Sequence, residues 1–218
     1  MALGDEQIER YSRQIILPEI GGRGQERLLA AAVAVIGAGP LAATAARYLA
    51  GAGIGALRLA GADSDHLGRE LRALNPDVTV SVDRAEDREI VVVAADLTVE
   101  AFDACARRAR ALGIPMVAAA ATASAGWIHL DRGGGGCAGC AARAARWERA
   151  GTSEAALAPI AVGVLGSLLA LAAIEVALGA PNPPPPLRWF DASTATLTPE
   201  TLMPVSGCGG CAPPNAPA

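Results

Sequence analysis

Residues 33–53, VAVIGAGPLAATAARYLAGAG, decide how this chain folds. A short apolar run leads into a glycine turn, and an Ala-rich segment follows the turn directly. We predict a buried strand over residues 32–36 and a helix over residues 40–51. Pro40 falls in the first turn of that helix, where a missing N–H is tolerated. This order of strand, glycine turn and helix is typical of the phosphate cradle of a nucleotide-binding fold.

The turn itself has the pattern Gly37-x-Gly39-x-x-Ala42. Small residues at these positions let the backbone approach a pyrophosphate at the positive end of a helix. Pro40 works against such a site, because it removes one backbone donor and fixes φ. The alternative is a tight strand-to-helix turn that holds no ligand, and the turn alone favours neither interpretation.

A dinucleotide fold also needs an acidic residue after its second strand, where it binds a ribose hydroxyl. We predict that strand at residues 56–60, and Asp63 is the nearest acidic candidate, with Asp65 behind it. Asp63, Asp65 and His66 could also suggest a metal site. A spaced Asp pair with one His is a weak pattern, so we interpret this segment as a polar loop.

Apolar strands alternate with helical segments along the rest of the chain. Residues 5–31 are expected to form two short helices around a turn. Further strands are predicted at residues 78–82, 89–94, 114–119 and 126–132. Further helices are predicted at residues 66–76 and 99–112, and two more end near residues 149 and 178. Buried strands alternating with helices predict an α/β fold, with a Rossmann-like and mostly parallel sheet that carries helices on both faces.

We expect a single domain over residues 1–211, with N-terminal helices at 5–31 and a Rossmann-like core at 32–178. A proline-rich linker at 180–186 then leads to a C-terminal hairpin and a cysteine knuckle at 187–211. The remaining residues, 212–218, are expected to be a disordered tail.

Composition limits the classes of function that the chain can serve. It has 218 residues, of which 52% are hydrophobic, so a sizeable core can form. A formal net charge of −4 gives no electrostatic footprint for nucleic acid. All 18 basic residues are arginine, so no chemical step can use a lysine. The N-terminus does not resemble a signal peptide, and we interpret the uncharged run at residues 158–174 as a core helix rather than a membrane span. We therefore expect a cytoplasmic protein.

Four of the five cysteines form two matching C-x-x-C pairs with small residues inside each pair: Cys137 with Cys140, and Cys208 with Cys211. Small residues inside a pair allow a tight knuckle around a tetrahedral ion, and four soft thiolates favour zinc. Because four thiolates leave no open position, the role of the zinc would be structural. Redox dithiols or disulfides are the alternatives, and both are weaker in a cytosolic chain.

Three remaining residues that can bind metals or act as nucleophiles have no motif around them. Cys105 lies in a predicted helix and is expected to be a buried apolar residue. His66 and His129 are expected to be structural.

Four features in this order resemble the adenylyltransferases of the ThiF, MoeB and HesA type, which are related to ubiquitin-activating enzymes. They are the run RYSRQIILPEIGGRGQERL at residues 10–28, the glycine turn, the paired cysteine knuckles and GVLGS at residues 163–167. Asn75-Pro76 and the run Phe190–Ala192 are smaller similarities. The resemblance covers residues 5–211, nearly the whole chain.

The resemblance implies that ATP and Mg²⁺ convert the C-terminal Gly-Gly of a ubiquitin-like sulfur carrier into an acyl-adenylate, which then accepts sulfur. It implies a homodimer in which Arg13 reaches into the ATP site of the partner subunit. It places a metal-facing aspartate at Asp96. The four-cysteine zinc site of the family corresponds to the two cysteine pairs.

The chain also departs from the family pattern after its second strand. The family has an acidic pair there, and the first of the two positions corresponds to Gly61, which leaves only Asp63. The family segment that follows carries an Asn, an Arg-Gln and a Lys, and it is missing here. Pro40 and Ala42 stand where the family has glycines, and the sulfur-relay cysteine that some members carry before GVLGS is absent.

These departures lead to two main hypotheses. In the first, the protein is a diverged member that binds a sulfur carrier or a peptide C-terminus, while adenylation is impaired or lost. In the second, it is an active adenylyltransferase that rebuilds its phosphate site from Arg13, Arg69 and Arg72. A nicotinamide-dependent oxidoreductase is a third alternative, which rests on the glycine turn alone.

Overall fold

The computed structural model of the protein describes residues 3–61, 64–82, 89–122, 124–144, 158–180 and 187–211. Asp63, most of the predicted linker and the predicted disordered tail lie outside these residues. The described part of the chain folds as one mixed α/β structure around a single sheet.

The described helices are α1 (Asp5–Arg10), α2 (Ser12–Ile15), α3 (Gly21–Ala30), α4 (Pro40–Ala52), α5 (Ser64–Leu74), α6 (Val99–Leu112), α7 (Ala138–Ala144) and α8 (Ala158–Leu178). The strands are β1 (Ala32–Ile36), β2 (Ala56–Ala60), β3 (Thr79–Val82), β4 (Val91–Ala95), β5 (Met116–Ala121), β6 (Ala125–Asp131), β7 (Leu187–Asp191) and β8 (Thr196–Glu200).

The strands join into one sheet with the order β3-β2-β1-β4-β5-β6-β7-β8. The five strands from β3 to β5 pair in parallel, and the three pairings from β5 to β8 are antiparallel. The mostly parallel sheet is therefore confirmed, with an antiparallel extension that ends in the predicted β7–β8 hairpin. The order reverses between β1 and β4, and ligands of open α/β sheets bind at such a switch point.

Most predicted elements occur, with shifted ends. Residues 5–31 form three helices rather than two, because the helix stops at Tyr11 and restarts at Ser12. The strand predicted at 114–119 begins instead at Met116, after Pro115, which cannot donate to a ladder. Helix α5 begins at Ser64, two positions earlier than predicted.

Two apolar clusters cover the two faces of the sheet. On one face α4, α5 and α8 pack against inward side chains such as Val33, Leu57 and Val93. On the other face α6 and α7 pack over Val92, Trp127 and their neighbours, together with three of the knuckle cysteines. The four-cysteine cluster is thus built into the second core.

Helix α8 carries the uncharged run. Among the described residues it is the one helix long and apolar enough to cross a membrane by length and composition, and 39% of its most apolar window is buried. Its inner side packs closely on the fold, since a Cβ on Gly166 would lie 2.7 Å from Thr44 of α4. Its outer side leaves Ile160, Val164 and Leu171 exposed. The helix therefore contributes one side to the core, as predicted, and presents an apolar outer side.

A buried polar cluster attaches the N-terminal helices to the sheet. The Tyr11 hydroxyl donates to Asp77 at 3.0 Å and accepts from the Asn75 amide at 2.9 Å. The same Asn75 amide donates to the Ala50 carbonyl at 2.7 Å, at the end of α4. These bonds explain Asn75, because its amide connects its own segment to Tyr11 and to the end of α4.

Candidate metal centre and nucleotide site

Four cysteine side chains meet on the side of the sheet that α6 and α7 cover. The Sγ atoms of Cys137, Cys140, Cys208 and Cys211 all lie within 4.8 Å of one another. The Cys137–Cys208 and Cys140–Cys211 pairs are each 3.4 Å apart, and Cys137–Cys140 is 3.9 Å. Tetrahedral zinc with Zn–S bonds of about 2.3 Å separates its sulfurs by about 3.8 Å, whereas a disulfide bond measures about 2.05 Å. The spacing therefore fits a four-thiolate metal site and does not fit disulfides.

The small residues inside each knuckle have a structural reason. A Cβ on Gly210 would lie 2.6 Å from the Cys137 sulfur, and one on Gly139 would lie 1.7 Å from the Asp103 carboxylate. Both contacts are too close for any larger residue. Only glycine at these positions lets the first cysteine pair and the C-terminal segment pack closely enough against α6 and each other to bring the four sulfurs together.

Charged and polar groups surround the sulfurs. Arg143 makes two bonds of 2.6 and 2.9 Å to the Asp103 carboxylate, and its Nη1 lies 3.5 Å from the Cys208 sulfur. The backbone N–H of Val205 points at the Cys140 sulfur at 3.3 Å. Such groups orient metal ligands and stabilise thiolates. The surroundings therefore fit a metal-bearing thiolate cluster.

Burial and hydrogen bonding have opposing effects on the pKa values of the cysteine thiols and of Asp103. Burial raises the pKa of the Cys208 thiol to about 11 and also raises the pKa of Cys137. Burial acts on Cys140 in the same direction, but hydrogen bonds, the Val205 N–H first, outweigh it and leave the pKa of Cys140 below its usual value. The Arg143 guanidinium holds the pKa of Asp103 below its usual range. A bound cation would stabilise all four thiolates together.

The glycine turn lies at the carboxyl ends of β1 and β4. Gly37 has φ of +142°, and a Cβ there would lie 2.2 Å from the Ala95 carbonyl oxygen. Its N–H donates to the Ala60 carbonyl oxygen at 2.8 Å. Ala42 is 1% exposed and packs beneath the turn. The chain's own neighbouring strands thus require small residues here, whether or not a ligand binds.

Asp96 lies directly against the turn, at the end of β4. Its Oδ2 accepts the Leu41 N–H at 3.3 Å, and a Cβ on Gly39 would lie 2.3 Å from that oxygen. The carboxylate therefore sits at the N-terminus of α4, where the helix dipole favours an anion. Burial raises the pKa of Asp96, although the backbone N–H groups of Leu41 and Ala121 act in the opposite direction.

Gly61 follows β2 and touches the same turn. Its φ is +151°, and a Cβ there would lie 2.5 Å from the Gly37 carbonyl oxygen. An acidic side chain at this position would force the end of β2 away from the turn.

A crevice of about 230 Å³ opens between α4 and α5, below the glycine turn. Its floor is apolar and includes Val35 and Leu59. Arg47 and Glu70 line it as well and form a bidentate ion pair of 2.6 and 2.9 Å. Their side chains are 45% and 39% exposed. The hydrogen bond from Arg47 lowers the pKa of Glu70.

Sequence similarity to known proteins agrees with these features. The sequence profile of the ThiF family matches residues 11–69. The chain is 31% identical over 248 residues to the sulfur carrier protein ThiS adenylyltransferase of Escherichia coli K12. That alignment covers 98% of this chain and 99% of the relative. The chain belongs to the ThiF family. Because the alignment is longer than this chain, the relative contains residues that this chain lacks.

Two further similarities are more limited, the first in the share of the chain that it covers and the second in sequence identity. The chain is 36% identical over 150 residues to the SAMP-activating enzyme E1 of Haloferax volcanii. That alignment covers 54% of this chain and 55% of the enzyme. The chain's fold matches the crystal structure of E. coli MccB with ATP at a TM-score of 0.71, over 93% of this chain and 73% of MccB. At 17% identity, that match shows the fold alone.

The arginines that we considered as phosphate ligands do not converge on the turn. Arg69 is exposed and is not among the residues that line the crevice. Arg72 donates to the Val80 carbonyl at 2.6 Å, on the other side of α5. Arg13 is exposed on α2, so its predicted role at a partner's site stays a prediction. Arg47 was not among the residues predicted from the sequence, where its one signal is its place on α4, about two helical turns after Gly39.

The other candidate residues are placed as follows. Cys105 is half-buried, and burial raises the pKa of its thiol, in agreement with a structural role. His129 is buried, with Nε2 3.0 Å from the Gly136 carbonyl oxygen. His66 lines the crevice, whereas Asp65 is exposed on the first turn of α5. The structure brings together no cluster of metal ligands around Asp65 and His66 within the residues it describes.

Proposed function

We propose that this ThiF-family protein binds the C-terminal tail of a ubiquitin-like sulfur carrier, or of a peptide handled in the same way, and adenylates it poorly or not at all. The relatives named for ThiS and SAMP support this class of partner. The pathway it would serve is sulfur transfer into a cofactor or a natural product.

The observation that carries the proposal is the state of the glycine turn. The Leu41 N–H already donates to Asp96, the Gly37 N–H donates to Ala60, and Pro40 has no N–H. The Asp96 carboxylate at the helix N-terminus would also repel a phosphate that lacks a bridging cation. A triphosphate therefore meets few donors and one negative charge in the place where the family binds it.

The loss of these groups should greatly lower the rate of adenylation. Phosphoryl and adenylyl transfer depend on positioning and on neutralising the charge of the phosphates. Removing one well-placed donor typically costs about 100-fold or more in rate. Here the lysine, an arginine and the first acidic position are missing together, which supports impaired adenylation.

The four cysteines fit a structural zinc ion, which would join α7 to the segment after β8. Bound zinc supplies a cross-link between distant parts of the chain and no catalytic position. We also propose a cytoplasmic homodimer. The apolar side chains of Ile8, Ile16 and Leu17, exposed on or just after the helix pair that carries Arg13, support such an association.

The second candidate function is an active adenylyltransferase for the C-terminal glycine of a sulfur carrier. The full-length similarity to an adenylyltransferase and the retained Asp96 favour it. In this case Asp96 would face Mg²⁺, and the bridging cation would remove its repulsion of the phosphates.

One experiment separates the two functions. The small proteins of the source organism that end in Gly-Gly are purified, and their binding is measured by calorimetry alongside ATP–pyrophosphate exchange. We expect binding without exchange above background, while E. coli ThiS adenylyltransferase with ThiS serves as the positive control. Exchange stimulated by a carrier would establish the second function, and absence of binding to every such protein would contradict the first.

A further inference from the structure

The crevice between α4 and α5 results from the short connection after β2. Strand β2 ends at Ala60 and α5 begins at Ser64, so the connection is short and α5 packs directly beside α4. The crevice below the glycine turn is lined by backbone of the turn, apolar side chains and the Arg47–Glu70 pair. It lies on the opposite face of the sheet from the four cysteines, and the proposed function has so far given no role to its Arg47–Glu70 pair.

The Arg47–Glu70 pair shows what the crevice can recognise. The guanidinium presents two N–H groups to two carboxylate oxygens at 2.6 and 2.9 Å, the parallel geometry in which arginine binds carboxylates. Both side chains are well exposed, so the pair contributes little stability. A carboxylate from a ligand can therefore replace Glu70 at little cost.

The size and polarity of the crevice limit the class of ligand that can bind there. Its volume of about 230 Å³ lies below the roughly 300–1,000 Å³ of sites that hold drug-sized molecules. Val35, Leu59 and Leu67 give it an apolar wall without a charge. A guanidinium binds phosphates in the same bidentate way as carboxylates, so the small volume and the apolar wall are the features that favour a carboxylate. A slender chain that ends in a single carboxylate fits both the space and the guanidinium.

We infer that the α4–α5 crevice binds the free C-terminal carboxylate of an extended Gly-Gly tail. Arg47 releases Glu70 and forms its bidentate bonds with the carboxylate of the tail instead. This inference rests on the proposed function, since it names where the tail of the carrier is held. Glu70 acts as an internal competitor that occupies Arg47 until a tail arrives.

The test uses a short fluorescein-labelled peptide ending in Gly-Gly, in free-acid and amidated forms, with the full chain and anisotropy as the readout. We expect the free acid to bind about two- to fivefold more tightly than the amide, the range for an ion pair with an exposed guanidinium. Arg47→Gln should weaken the free acid by about the same factor and leave the amide unchanged. Glu70→Gln should strengthen the free acid, because it removes the competitor. Arg69→Gln, which changes an exposed arginine next to Glu70, is the matched control and should have no effect.

The other outcomes each overturn the inference in a recognisable way. Equal binding of acid and amide, or no effect of Arg47→Gln, would overturn the crevice site while leaving tail binding intact. If AMP or inorganic phosphate competes with the peptide and loses affinity in Arg47→Gln, while the acid and the amide bind equally, the crevice is a phosphate site instead. If neither peptide nor any Gly-Gly carrier binds, the proposed function fails together with the inference. Thermal melts of all variants establish that each is folded.

Discussion

The cysteine knuckle and the glycine turn differ in how their small residues are used. In the knuckle, Gly139 and Gly210 allow an approach that leaves four sulfurs facing one point. In the turn, Gly37 and Gly39 allow an approach that ends on the chain's own Ala95 carbonyl and Asp96 carboxylate. The first set of small residues leaves four sulfurs around a common point, while the second places the chain's own oxygens against the turn. A glycine pattern therefore indicates close approach without telling what approaches.

Removing the metal from the knuckle should have the largest effect. Chelation, or Cys140→Ser, should break the proposed metal cross-link between α7 and the C-terminal segment inside a buried core. Because structural zinc contributes directly to folding free energy, we expect several kcal/mol of lost stability and a clearly lower melting temperature. Cys105→Ser, at the half-buried cysteine away from the cluster, is the control. A chelated sample with no zinc by elemental analysis that melts unchanged would contradict the metal site.

Restoring the family's acid at Gly61 should have an intermediate effect. Gly61→Asp introduces a Cβ 2.5 Å from the Gly37 carbonyl oxygen at a φ of +151°. We expect a loss of about 1–3 kcal/mol in the free energy of unfolding, measured by urea denaturation, and no gain in ATP binding. Gly51→Ala, within α4 and with nothing near its Cβ, should instead stabilise by about 0.5–1 kcal/mol. Tight ATP binding by Gly61→Asp would show that the turn still serves a nucleotide.

Neutralising Asp96 should have the smallest effect, and it carries a pH signature. Burial raises the folded-state pKa of Asp96 above its unfolded value of about 3.9. The folded state therefore binds more protons between these two values, and the contribution of Asp96 to stability falls as pH rises through that window. Asp96→Asn lacks this loss, so it should be at least as stable as the parent at pH 7 and should converge with it near pH 3. A clear drop in melting temperature at pH 7 would show that the charge at the α4 N-terminus stabilises the fold instead.

The fold was predictable because its signals are local. Alternating apolar strands and helices predicted the order of elements, and the limits of β1 and α6 agree with the structure to the residue. The knuckle was predictable because cysteine spacing carries its own chemistry. The contact of Asp96 with the N-terminus of α4 could not be predicted in this way, because it joins two segments that lie 55 positions apart in the chain. The crevice was missed for the same reason: Arg47 and Glu70 look like ordinary helix charges until α4 and α5 are placed side by side.

The separation of the two cysteine pairs along the chain also sets an order of assembly. Cys137 and Cys208 lie 71 positions apart. At a synthesis rate of about 5–20 residues per second, the first pair waits roughly 4–14 s for its partners to be made. During that time the parallel strands can form, while a metal ion would have only two of its four sulfurs. Closure of the knuckle is therefore a late event, and it fastens a C-terminal segment beside parallel strands that were made earlier.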